Sequence, residues 1–156
     1  MRITYGPLPA SSSSPPKERA SDLVEYEALS GGGRVRRIAG TDTVSSAGDT
    51  GVWDWRGGGV LFFVGSHWEV LGWGEREVSE EEGGGVERWV VTWFAPTVFS
   101  AEGLDVYSDR PGGGSEGLVR EVLEELGRVC QGKGRLGELV EGEMREVKIE
   151  LPWKER

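Results

Sequence analysis

His67 and Glu69 stand two residues apart in the stretch "GVWDWRGGGVLFFVGSHWEVLGWGE" (51–75). On a β-strand, residues i and i+2 project from one face, so this spacing would set an imidazole beside a carboxylate, the pairing that orients a general base. Asp105, in "LDVYS" (104–108), is a further carboxylate candidate for the same base. Nucleophiles are poorly provided. Ser66 lacks the sharp turn of a nucleophile elbow, and Cys130 falls on the apolar stripe of a predicted helix. An ordinary role for His67 is a hydrogen-bonded residue in a sheet wall.

The same stretch carries Trp53, Trp55, Trp68 and Trp73, and "RWVVTWF" (88–94) adds Trp93. Aromatic walls with a few polar groups are what small-molecule pockets require, and an arginine or histidine among them would orient an acidic head group. Trp53, Trp55, Arg56, His67, Trp68, Trp73 and Trp93 are therefore the candidate ligand-binding residues. Plain core packing would use the same aromatics. Arg34, Arg36 and Arg37 are further cations that would need a carboxylate partner or an anionic ligand. Asp42, Asp54 and Asp105 would make a carboxylate cluster if they faced one another, but alternation alone leaves that open and solvent is the default.

"GGGSEG" (112–117) satisfies G-x-G-x-x-G, a pattern that holds phosphate at a helix N-terminus when it follows a strand directly. Here "DRP" separates strand and glycines, and the chain lacks the repeated parallel units of a dinucleotide crevice. A loop into a helix cap is the preferred reading.

These residues must be held by elements, and short runs rich in Trp, Val, Phe and Thr predict strands over 35–44, 51–56, 60–66, 67–73, 88–94 and 104–108. "GGG" tracts at 31–33, 57–59, 83–85 and 112–114 mark turns between them, and the insertion at 79–85 a lengthened hairpin. Over 115–130, Leu118, Val119, Val122, Leu123, Leu126, Val129 and Cys130 recur at helical spacing, with Ser115 as N-cap and Gly132 as stop. "MREVKIEL" (144–151) alternates as a last strand. Residues 21–29 fit a short helix or a strand. Residues 1–20, Pro- and Ser-rich over 6–20, read as a flexible segment before a single β-barrel domain over 21–156.

The chain has 156 residues, long enough for one core without disulfides or metal. One cysteine and one histidine are too few for a Cys/His zinc site, so no metal and no cofactor are expected. The net charge of −9 argues against a nucleic-acid partner. The N-terminus has no apolar leader and no run long enough to span a bilayer, which predicts a cytoplasmic protein with no membrane partner. Oligomeric state is left open.

With "GTDTV" (40–44), "WDWRGGG" (53–59), "SHWEVLGWG" (66–74), "WVVTWF" (89–94) and "GLDVYS" (103–108), the chain resembles a group of mainly fungal proteins with a calycin or lipocalin-like barrel. The likeness spans roughly residues 21–151. It implies a ligand-holding barrel, names no ligand and carries over no catalytic residue. The expected fold is thus mainly β, an antiparallel calycin/lipocalin-like barrel with one C-terminal α-helix and a final strand. The expected function is binding of a small apolar or amphipathic ligand. An alternative is a barrel or half-barrel enzyme of isomerase or hydrolase type, using His67 with Glu69 or Asp105; a third is an interaction module with a filled core.

Overall fold

The computed structural model describes residues 1–27, 34–147 and 149. Its strands are β1 (Arg2–Leu8), β2 (Arg19–Tyr26), β3 (Arg36–Val44), β4 (Val52–Gly57), β5 (Gly65–Glu77), β6 (Val86–Phe94) and β7 (Gly103–Ser108). Helix α1 (Glu116–Cys130) and the single turn α2 (Arg135–Glu138) follow. The seven strands are antiparallel neighbours in sequence order, so the protein is mainly β with a C-terminal helix, as the sequence predicts. That order runs open from β1 to β7 among the described residues; closure into a barrel does not follow from it. No helix among them is long and apolar enough to cross a membrane.

The chain groups into two compact units. The first comprises Met1–Glu69 and Phe94–Glu102. It is a meander in which β1 pairs with β2 from Arg2↔Glu25 to Leu8↔Arg19, β2 with β3 through Asp22↔Gly40, and β3 with β4 through Asp42↔Trp55. β4 meets the start of β5 through Trp53↔Trp68 and Asp54↔His67. The flexible segment expected over 1–20 is therefore replaced at Arg2–Leu8 by an edge strand. Pro7 is tolerated there because an edge strand has a side with no hydrogen-bonding neighbour. β2 resolves the ambiguity of residues 21–26 in favour of a strand, while 28 and 29, like the "GGG" at 31–33, lie outside the described residues.

The strand expected over 60–66 does not form before Gly65. Gly59, at φ +56°, lets the chain coil into a 3-10 turn at Gly59–Leu61. The backbone carbonyl of Leu61 then occupies the space of a Gly57 side chain, 2.4 Å from where its Cβ would stand. Val60, Phe62 and Phe63 are left exposed, and apolar content without a neighbouring strand does not make one.

The second unit comprises Val70–Trp93 and the described residues from Gly103 onward. Its core is Val91, Leu104, Leu118, Val122, Leu126, Cys130 and Leu139, flanked by Trp89 and Trp93. In α1 the buried apolar side chains are spaced by four (118, 122, 126, 130), with Gly117 buried beside the first, a narrower stripe than predicted, and Val119, Leu123 and Val129 remain exposed. The Ser115 side chain caps the helix by accepting from the Leu118 N–H, as its sequence position suggests. The lengthened hairpin at 79–85 forms through a 3-10 turn at Glu80–Glu82 and three glycines at positive φ, Gly83 to Gly85. Of the final strand expected over 144–151, residues 144–147 and 149 carry no strand, and 148, 150 and 151 lie outside the described residues.

Cys130 is buried at 3% exposure beside Leu126. A thiol reagent is expected to modify it slowly in the native protein and rapidly after denaturation, followed by absorbance of the released chromophore. Native modification as fast as in urea would contradict the helix packing.

Candidate functional site

Alternation and register sort the first unit into two chemically different faces. One carries Tyr5 of β1, Asp22 of β2, Gly40, Asp42 and Val44 of β3, Trp53 and Trp55 of β4, and Ser66 and Trp68 of β5. The other carries Arg2, Glu25, Arg37, Asp54, Arg56, His67 and Glu69. The predicted ligand set is thereby divided. Trp53, Trp55 and Trp68 share the first face, whereas Arg56, exposed, and His67 belong to the second. Trp73 is 76% exposed in the second unit, and Trp93 packs against that unit's core.

On the aromatic face, Trp53 and Trp68 stack with ring centroids 5.6 Å apart and planes 7° from parallel, and Tyr5 tilts against Trp68 at 6.4 Å. Trp55 can reach across β3 only because residue 40 is glycine: a Cβ there would lie 2.2 Å from the Trp55 Nε1 and 2.7 Å from the Arg56 carbonyl oxygen. Two carboxylates are enclosed with these rings. Asp42 is 1% exposed and accepts a 2.7 Å hydrogen bond at Oδ1 from the Trp68 Nε1; Asp22 is 9% exposed. Asp22 and Asp42 are diagonal neighbours, since Asp22 lies opposite Gly40, two residues along β3 from Asp42.

Three buried polar atoms at this place have no hydrogen-bond partner of good geometry: Asp22 Oδ1, Asp42 Oδ2 and Trp55 Nε1, although the Trp55 indole lies near enough to Asp22 to act on its carboxyl. Burial, then the neighbouring Asp42 charge, push the Asp22 carboxyl up to about 6, partly offset by the nearby Trp55 indole. Burial likewise raises Asp42, against the hydrogen bond from Trp68. Native interiors leave few such atoms unpaired, and each one asks for a partner that completes it.

On the opposite face acids pair with basic groups. The His67 Nδ1 lies 2.9 Å from Asp54 Oδ1 and its Nε2 3.3 Å from Glu69 Oε1, so the expected His67–Glu69 pair forms and gains Asp54. Asp54 first, and Glu69 after it, stabilise the imidazolium and raise the His67 pKa above its usual value. The row is open to solvent, with side-chain exposures of 37% for His67, 58% for Asp54 and 42% for Glu69. Ser66 points to the other face and offers His67 no nucleophile. Glu25, in turn, is held by Arg2 and Arg37, which keep its carboxyl below the usual range.

Asp105, the other acid candidate, belongs to the second unit and accepts a 2.6 Å hydrogen bond from the Tyr107 hydroxyl. The cluster of Asp42, Asp54 and Asp105 is thus not formed: Asp42 is buried, Asp54 serves His67, and Asp105 serves Tyr107. In the glycine-rich turn before α1, two N–H groups that a phosphate would use are taken by the protein's own acids, Gly117 by Glu82 at 3.2 Å and Ser115 by Glu87 at 2.9 Å. The second unit also has a shallow recess of about 280 Å³ lined by Arg88, Trp89, Val90, Tyr107, Ser108 and Asp109. Arg88 is engaged there by Glu75 at 2.8 Å and Asp109 at 3.6 Å. Among the described residues no group of three or more His, Cys, Asp or Glu side chains is placed to hold a metal ion.

Sequence reading missed Asp22, Tyr5 and Gly40, and left Asp42 to solvent. A signal was present: Asp42 shares strand parity with Ile38 and Val44, and Asp22 with Ala20 and Val24, so each acid interrupts an apolar face.

Fold and site together describe a mainly antiparallel β protein with an aromatic face that encloses two acids. Comparison with known proteins adds no relative: no family model matches the chain, and neither a curated protein nor a solved structure does.

Proposed function

We propose that the protein binds a small amphipathic molecule against the aromatic face of its first unit, in the manner of a calycin-like ligand carrier. The observation that supports this reading is the set of three buried, unpartnered polar atoms set among Tyr5, Trp53, Trp55 and Trp68. Folding removes these atoms from water without a replacement partner, which costs about 1–3 kcal/mol for each such group. A ligand with an apolar body and a polar head would cover the rings and complete the atoms together.

A panel of fatty acids, aromatic acids, aromatic alcohols and aromatic amines tests the reading through tryptophan emission. At least one class is expected to quench saturably, because the rings it would cover are indoles. If no class does so, the ligand reading fails and a filled-core interaction module replaces it.

A second, weaker reading is acid–base chemistry at the Asp54–His67–Glu69 row. It has the hydrogen bonds of an oriented base, but its solvent exposure removes the dry surroundings that strengthen such groups.

A further inference from the structure

The reading that the aromatic face of the first unit is a ligand site leaves the head group of that ligand to be assigned. The sequence, with Arg56 and His67 counted among the tryptophans, favours an acidic head. The fold reverses that choice, because Arg56 and His67 project from the other face and the groups enclosed with the rings are acids.

We infer that the ligand carries a protonated amine, an aryl- or alkylammonium whose N–H groups are taken by Asp22 Oδ1 and Asp42 Oδ2 and whose apolar body lies on the tryptophans. An ionised carboxylate only accepts hydrogen bonds, so an open carboxylate oxygen calls for a donor. Two such oxygens belong to side chains 9% and 1% exposed, and both are unpartnered. A cation would satisfy both and relieve the repulsion between the two charges that raises Asp22. Electron-rich indole faces attract an ammonium group as well, and they are the walls this site has.

Few charged or titratable groups share this face. β1 contributes Tyr5, β2 contributes Asp22 and Tyr26, and β3 contributes Asp42 and Arg36; the first-unit segments of β4 and β5 contribute none. Arg36, the single cation that the described strands place on this face, is exposed at the end of β3, four residues from Gly40, about 13 Å along the strand. It does not neutralise the pair: burial, then Asp42, dominate the shift at Asp22, and no cation lowers it. A calcium ion fits the site less well, because it takes six to eight oxygen ligands and these walls are indoles.

The test uses the full chain with three probes of similar shape: 2-phenylethylammonium, 2-phenylethanol and 3-phenylpropanoate, titrated against tryptophan emission at pH 7.5. The ammonium is expected to bind about tenfold or more tightly than the alcohol, and the carboxylate more weakly than either, since the hydrogen bonds are charge-assisted. Asp22→Asn and Asp42→Asn should each weaken the ammonium by much more than they weaken the alcohol, bringing the two affinities close together. Lowering the pH to 5 should weaken the ammonium alone, because Asp22, at about 6, takes up a proton. Should either variant fail to fold, carboxyl NMR of the wild type serves instead: saturating ammonium should move the Asp22 titration to lower pH.

Equal affinity for ammonium and alcohol, with no effect of the Asn variants, would overturn the amine assignment and leave the ligand site standing. Tighter binding of the carboxylate, or saturable quenching by calcium chloride that the ammonium does not compete with, would also overturn it. No saturable quenching by any probe or by the wider panel would remove the site itself.

Discussion

Asp22→Asn is expected to make the protein more stable at neutral pH, by up to about 3 kcal/mol. The Asp22 carboxyl is 9% exposed, and its pKa rises from 3.8 to about 6 on folding. A raised carboxyl pKa means that the folded state binds the proton more tightly than the unfolded state, so stability falls as pH rises through the interval between the two values. That interval is roughly pH 4 to 6, and the shift corresponds to about 3 kcal/mol. Asparagine removes the charge and keeps the shape, and its amide can donate to the open Asp42 Oδ2. The stabilisation should therefore be full above pH 6 and fade toward pH 4, where wild-type Asp22 is protonated. Urea unfolding of both proteins across pH 4–8 measures it. A variant less stable than wild type at pH 7.5 would mean that the carboxylate is already satisfied in the fold.

Glu87→Ala is expected to have the opposite sign and a similar size. Glu87 is fully buried, at 0% exposure, yet unlike Asp22 it is satisfied. It accepts the Ser115 backbone N–H at 2.9 Å and the Ser115 hydroxyl, while the Ser115 Oγ accepts from the Leu118 N–H at 3.3 Å. One carboxylate thus fixes the N-cap and places a negative charge at the N-terminal end of α1, where the helix dipole favours it. Hydrogen bonds to charged groups contribute about 1.5–3 kcal/mol each, so truncation should destabilise by about 3 kcal/mol or more. Glu87→Gln, which keeps one acceptor oxygen, should recover part of that loss. Urea midpoints of the three proteins decide it; a loss below about 1 kcal/mol for the alanine variant would contradict the cap.

The two buried acids show where the sequence is readable and where it stops. Strands β3, β4, β6 and β7 and helix α1 follow from periodicity and turn residues, because local pattern and burial agree there. β1 was hidden by prolines and serines that an edge strand and a loop accept, and the 60–66 run was misread because apolar content says nothing about a partner strand. The site failed for a related reason. Trp53, Trp55 and Trp68 were grouped with Arg56 and His67 by nearness in sequence, while a strand sends neighbours to opposite faces. Asp22 and Asp42 come from different strands, and only the pairing of β2 with β3 across Gly40 shows that they lie side by side.

A two-dimensional NMR titration with 2-phenylethylammonium, following the indole N–H signals of the assigned tryptophans, tests the ligand site most directly. The Trp55 signal is expected to shift most, because its Nε1 is buried beside the two acids without a well-formed hydrogen bond, and Trp53 and Trp68 should shift with it. Trp73, Trp89 and Trp93 should stay in place. Shifts confined to Trp89, which lines the shallow recess of the second unit, would contradict a site on the aromatic face and place it there instead.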